Sequence, residues 1–206
     1  MIIGLTGTSC SGKNLVSEIL EEKGFFVVDE DKLGHVALEM NTEKLRAAFG
    51  DGIITDGKVD RKKLGPVVFS SPEGLRTLEG ISHPWMVKET ERLCREAEKE
   101  GKVAVINAAI LEHMNLHKLC DEVVVVDAPF DVRWARAEKR DGITLEKFKA
   151  RCSSQVDIGR KSSLDGKKVS TIINDGDRIQ LCRQVDLYCD NISLLRGSAW
   201  ESDSDI

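Results

Sequence analysis

The chain has 206 residues, of which 41% are hydrophobic and 32% charged, and its net charge is −5. That balance excludes a disordered or membrane-embedded chain and leaves room for one core with a small inserted lobe. It also speaks against an open nucleic-acid surface, which needs an excess of Lys and Arg along one face. Cys10, Cys94, Cys120, Cys152, Cys182 and Cys189 form no C-x-x-C pair and have no His at a zinc spacing, so they read as reduced thiols rather than a metal knuckle. No charged leader precedes the first apolar run, and no run approaches ~18 apolar residues. The expectation is a cytoplasmic protein without a membrane partner.

In chain order, a strand-like run from Ile2 to Thr6 leads into Gly7-Thr8-Ser9-Cys10-Ser11-Gly12-Lys13-Asn14, and Leu15, Val16, Ile19 and Leu20 then give a helical stripe. Strand, glycine-bounded loop and helix are the context that a P-loop requires. Glycines let successive N–H groups point inward, the helix N-terminus adds positive potential, and Lys13 reaches the outer phosphates, so the loop suits a triphosphate such as ATP. Asn14 occupies the position where a Ser or Thr hydroxyl normally reaches Mg²⁺. An amide oxygen also suits a hard cation, directly or through water, so Asn14 is the candidate metal residue.

The second strand, Phe25 to Asp29, runs into Glu30 and Asp31. Residues two apart on an extended chain share a side, which would turn Asp29 and Asp31 together toward the loop at the carboxyl end of the sheet. One would accept the proton of an attacking hydroxyl while the other orients the acceptor or a metal-bound water. The structural alternative is that Asp31 caps the helix through Leu33, Val36 and Ala37.

About seventy residues separate this strand from the third, too many for one crossover helix, so a helical lobe is expected from about Asn41. Within it, Asp56-Gly57 supplies a turn, Asp60 caps a helix from Arg61, Ser71-Pro72 starts another, and Pro84 is expected to kink or break it. Val103 to Asn107, Glu122 to Asp127 and Ser170 to Asn174 read as further strands. Residues 131–168 hold 11 Lys and Arg against 6 Asp and Glu, with Arg133, Arg136, Arg140, Arg151 and Gln155 at helical intervals. That pattern suits a lid whose arginines neutralise a transferring phosphoryl group, with surface salt bridging as the rival explanation. The last residues, 196–206, read as a solvated tail. Valine-rich strands alternating with helices predict an α/β fold with a five-stranded parallel sheet between helical layers.

The ordered motifs resemble those of dephospho-coenzyme A kinases. They are Gly4-Leu5-Thr6-Gly7 before Ser11-Gly12-Lys13; Val28-Asp29-Glu30-Asp31 for the family's Asp-Ala-Asp; Phe49-Gly50, Asp56-Gly57 and Asp60-Arg61; Leu78 to Ile81 before His83-Pro84; Arg136, Arg140, Arg151 and Gln155; and Asn174-Asp175-Gly176. The resemblance implies a P-loop NTPase fold with core 1–40, 102–130 and 169–195, an acceptor lobe over 41–101 and a lid over 131–168. It implies ATP and Mg²⁺ as cofactors and dephospho-CoA as the acceptor, phosphorylated at its ribose 3′-hydroxyl. It further implies Asp31 as base, Lys13 and Arg140 as catalytic partners, Arg136, Asn174 and Gly176 beside the nucleotide, and Asp29 and His83 beside the acceptor. The family's Pro-Leu-Leu-Phe-Glu is Ala108-Ala109-Ile110-Leu111-Glu112 here. Another small-molecule acceptor on the same fold, or a homologue that binds nucleotide without transfer, remain the alternatives.

Overall fold

The computed structural model describes residues 1–153, 164 and 166–200, with side chains described as far as Ile192. In chain order it runs β1 (Ile2–Gly7), α1 (Lys13–Glu22), β2 (Phe26–Asp29), α2 (Glu30–Met40), α3 (Thr42–Phe49), a hairpin of β3 (Ile54–Thr55) and β4 (Lys58–Val59), α4 (Arg61–Val68) and α5 (Pro72–Lys99). It continues through β5 (Ala104–Asn107), β6 (Glu122–Asp127), α6 (Phe130–Asp141), α7 (Leu145–Ser153), β7 (Lys168–Ile173) and α8 (Arg178–Trp200). Five strands form one parallel sheet in the order β2-β5-β1-β6-β7, which places the phosphate-loop strand at its centre.

The sheet is sandwiched because its strands are apolar on both sides. Ile3, Leu5, Val105, Val124 and Val126 face a layer made by Val16, Ile19 and Leu20 of α1 with Leu181, Val185 and Ile192 of α8. Ala104, Ile106 and Val123, offset by one residue in their strands, face Met86, Cys94 and Ala97 of α5. Each buried Val, Leu, Ile or Met among them contributes roughly 1.5–3 kcal/mol, so the two faces carry the fold. β1 pairs with β5 (Leu5 beside Asn107) and with β6 (Gly7 beside Val126), so three strand ends converge at the phosphate loop.

Between α2 and β5, Leu45, Ile53, Leu64 and Val68 form a second small core with Phe49, Leu78 and Ile81 packed on it. Asp60 caps α4 through the N–H of Lys62 at 2.9 Å, and Ser71 Oγ accepts the N–H of Gly74 at 3.1 Å at the start of α5. Asp56 and Gly57 both have positive φ (50° and 77°) in the turn of the β3–β4 hairpin, the two-residue turn that right-twisted strands favour. Pro84 does not break α5, which continues as one helix from Pro72 to Lys99. Packing on both ends of that helix outweighs the missing N–H: Leu78 and Ile81 hold one end, Met86, Cys94 and Ala97 the other. Helix α8 runs to Trp200, into the stretch expected as tail.

At the amino edge of the sheet lies a buried carboxylate with a full set of partners. Glu122 is 3% exposed; Tyr188 Oη donates to one oxygen and Lys168 Nζ sits 2.8 Å from the other.

Candidate active site

The loop between β1 and α1 is fixed from beneath. Gly12 has φ 93°, and an added Cβ there would lie 2.0 Å from Asn174 Nδ2. That nitrogen donates to the Ser11 carbonyl at 2.8 Å, while Arg136 NH2 donates to the Asn174 carbonyl at 3.1 Å and its NH1 lies 3.4 Å from the carbonyls of Cys10 and Ser11. Both residues turn loop carbonyls downward, which leaves N–H groups for the opposite side. Gly7 is required by close approach: a Cβ would sit 2.4 Å from the Val126 carbonyl oxygen. Thr8 Oγ1 donates to Asp127 Oδ1 at 3.1 Å, tying the loop to the end of β6. Cys10 adopts a left-handed conformation at φ 62°, a strain of roughly 1 kcal/mol for a residue with a Cβ.

Helix α1 begins at Lys13, so the N–H groups of its first turn open toward the loop. The Leu15 N–H closes back on the Gly12 carbonyl at 3.0 Å, and its side chain joins the core. Leu15 thereby ties the first turn of α1 to the end of the loop. The Lys13 ammonium donates to Asn107 Oδ1, and Asn107 Nδ2 reaches Asn14 Oδ1 at 3.4 Å. Burial lowers the Lys13 pKa, opposed by Asp31 first, then Asp29 and Glu30.

Strand alternation does not place those aspartates. β2 ends at Asp29, whose carboxylate accepts the N–H groups of Asp31 (3.0 Å) and Lys32 (3.1 Å) and so caps α2. Asp31 sits in the first helical turn, exposed, and is the strongest opposite charge acting on Lys13. The cap is Asp29, not Asp31, because the carboxylate one residue before the helix reaches its first N–H groups. Glu30, between them, is 4% exposed, and burial raises its pKa to about 7. Its Oε1 lies 2.6 Å from Thr90 Oγ1, which is also 2.8 Å from the Met86 carbonyl, and its Oε2 has no hydrogen-bond partner among the described residues. Thr90 has one proton for two acceptors, so both contacts are satisfied only when Glu30 carries a proton of its own.

The four arginines have three fates. Arg133 Nε donates to the Ala128 carbonyl at 2.9 Å, Arg136 braces the phosphate loop, and Arg140 and Arg151 both pair with Asp141. Gln155 lies outside the described residues. Asn14, Asp29, Leu33 and Asn107 line a cavity of about 330 Å³. His83 lines a separate one of about 770 Å³ with Arg76, Glu79, Lys88 and His113; burial lowers its pKa, and its ring meets that of His113 edge-on at 5.9 Å. Gly176 is exposed before α8. Sequence reasoning missed Thr90, Asp127 and Asp141, and left Asn107 unused. Asn107 and Asp127 end strands beside β1, a signal that the strand-end rule for open α/β sheets could have found.

A family profile described as dephospho-CoA kinase matches residues 1–177. The dephospho-CoA kinase of Fusobacterium nucleatum is 34% identical over 196 residues, covering 93% of this chain and 98% of that protein. The chain belongs to the dephospho-CoA kinase family. Its fold is similar to that of the solved dephospho-CoA kinase from Campylobacter jejuni, with TM-score 0.73, 26% identity and coverage of 95% of this chain and 98% of the other. Shikimate kinase from Bacteroides thetaiotaomicron, 15% identical over 94% of this chain and 98% of its own with TM-score 0.53, shares the P-loop kinase fold alone. Among the described residues, no helix is long and apolar enough to cross a membrane.

Proposed function

We propose that this chain transfers the terminal phosphoryl group of ATP to the ribose 3′-hydroxyl of dephospho-CoA, giving coenzyme A and ADP in the cytoplasm. Family membership supports the reaction, and one observation carries the mechanism: Asp31 is exposed in the first turn of α2, two residues past the point where β2 ends beside Asn107, the residue that receives the Lys13 ammonium. In this reading the loop from Gly7 to Asn14 and the open turn of α1 hold the phosphates, and Lys13 bridges the outer ones. The 3′-oxygen attacks the phosphorus while its proton passes to the Asp31 carboxylate. The bond to the bridging oxygen breaks, and its electron pair leaves with ADP.

A divalent cation would supply charge neutralisation on the outer phosphates. Asn14 fits as a holder by its exposed position and its amide oxygen, because Mg²⁺ keeps several waters and needs only one or two protein oxygens. Residues 41–101 serve as the acceptor lobe, with Asp29 and His83 on the acceptor side. Residues 131–168 serve as the lid that presents Arg140, and Arg136, Asn174 and Gly176 flank the nucleotide.

The test incubates purified protein with ATP, Mg²⁺ and dephospho-CoA and follows ADP release together with the mass gain of the acceptor. Turnover on the order of 1–100 s⁻¹ is expected. An unchanged dephospho-CoA pool, with ADP released only when shikimate or a nucleoside monophosphate is supplied, would move the chain to another acceptor.

A further inference from the structure

Arg140 and Arg151 come from different helices and share one carboxylate. Arg140 Nε and NH2 donate to the two oxygens of Asp141 at 2.7 and 2.9 Å, and Arg151 NH1 donates to Oδ2 at 2.9 Å. That same Arg151 nitrogen lies 3.4 Å from Ser9 Oγ in the phosphate loop. Helix α7, which carries Arg151, is docked by fully buried Phe148, whose ring sits 5.3 Å from Phe130 and 5.7 Å from Trp134 of α6. Arg151 follows that anchor by one helical turn, so the place of its stem is set by packing.

Helix stability does not explain Asp141. It is the last residue of α6, where the helix dipole already concentrates negative potential, and a carboxylate there is unfavourable. The helix is closed instead by Gly142, left-handed at φ 59°, whose N–H reaches the Glu138 carbonyl. The two guanidiniums hold the Asp141 carboxyl well below the usual carboxylate range, Arg140 foremost and Arg151 next. Two like charges gathered beside an anion site repel, and each long side chain gives up rotamer freedom when held in one place. A shared carboxylate offsets the repulsion and removes much of that freedom before any phosphate arrives.

We propose that Asp141 is a positioning residue for phosphoryl transfer: it holds Arg140 and Arg151 as one oriented pair beside the phosphate loop. Arg140 spends one edge of its guanidinium on Asp141 and keeps its NH1 side for a phosphate. The proposal rests on the phosphotransferase reading, and it acts on the transition state, where charge spreads over the equatorial oxygens.

The test is Asp141→Asn, which keeps the shape and removes the charge. Expected is a loss in kcat of about 10- to 100-fold, with affinity for a non-hydrolysable ATP analogue changed by less than about threefold. The thermal midpoint should barely move, since exposed ion pairs add little stability. Asp141→Glu should recover much of the rate, and Asp141→Asn in an Arg140→Met background should cost little more, since Asp141 holds Arg140 by two of its three hydrogen bonds to the pair. A kcat within about twofold of wild type, or losses that simply multiply in the double variant, would overturn the proposal. A second arm needs no acceptor: the ¹⁵N resonance of Arg140 Nε should shift on adding ATP to wild type and not to Asp141→Asn, and equal responses would also sink it. Failure of wild type to phosphorylate dephospho-CoA would strike the acceptor assignment alone.

Discussion

Two glutamates of equal burial sit at opposite ends of the sheet and behave differently. Glu122, 3% exposed at the amino edge, has a phenol and an ammonium on its two oxygens; Glu30, 4% exposed beside the phosphate loop, has one threonine for one oxygen and, among the described residues, nothing for the other. The difference is in how completely each charge is matched. A paired buried carboxylate closes the sheet against α8, and burial together with the Glu122 contact pushes the Tyr188 phenol upward. An under-paired one is tolerated between Asp29, which caps α2, and the exposed Asp31, the end at which local order serves ligand chemistry over stability.

The strongest way to break this contrast is at the carboxyl end. Asp31→Asn should lower kcat by about 10²–10⁴ while leaving the fold intact, since its carboxylate is exposed and only its proton-accepting role is lost. Steady-state rates with dephospho-CoA, read beside a thermal melt, decide it; a wild-type rate removes Asp31 as base. At the amino end the effect should change kind. Glu122→Ala strands the buried Tyr188 hydroxyl, while half-exposed Lys168 turns to water, and should cost about 2 kcal/mol in urea unfolding, with kcat unchanged where the protein is folded. A fall in kcat without loss of stability would merge the two ends into one functional network.

What was legible in the sequence follows the same division between local and distant partners. Strand runs, the loop from Gly7 to Asn14, the Asp60 cap and the Ser71-Pro72 start depend on neighbours within a few residues, and each stands near where the sequence pattern puts it, the last strand spanning Lys168–Ile173 where Ser170 to Asn174 was expected. The turn after β2 was misread because strand alternation was carried two residues too far. Asp29 captures the N–H groups of Asp31 and Lys32, and that hydrogen bonding starts a helix where an extended chain was expected. Arg136 and Arg140 look alike on one helix, yet one supports loop carbonyls and the other meets Asp141, because only the tertiary fold decides which carbonyl or carboxylate comes within reach. Thr90 is 60 residues from Glu30, so no local spacing could signal the pair.

That pair sharpens the comparison through pH. The folded pKa of Glu30, about 7, lies above its ordinary value of 4.5, with burial as the first cause and the neighbouring Asp29 and Asp31 adding to it against Thr90 and Lys13. Below pH 4.5 the group is neutral folded and unfolded, and its neutral form is fully accommodated. Between 4.5 and 7 the unfolded chain gives up the proton first, the folded state binds more protons, and stability falls as pH rises; above 7 the loss is complete. Glu30→Gln carries no charge to bury, so it should escape this loss and gain on wild type by on the order of 2 kcal/mol between pH 5 and pH 8 in parallel urea titrations. Glu122→Gln provides the control: its carboxylate is already matched by Lys168, so replacing it should give no gain at the higher pH. A gap between Glu30→Gln and wild type that stays constant across that range would mean that Glu30 is ionised when folded, and that Thr90 gives its proton to Glu30 and not to Met86.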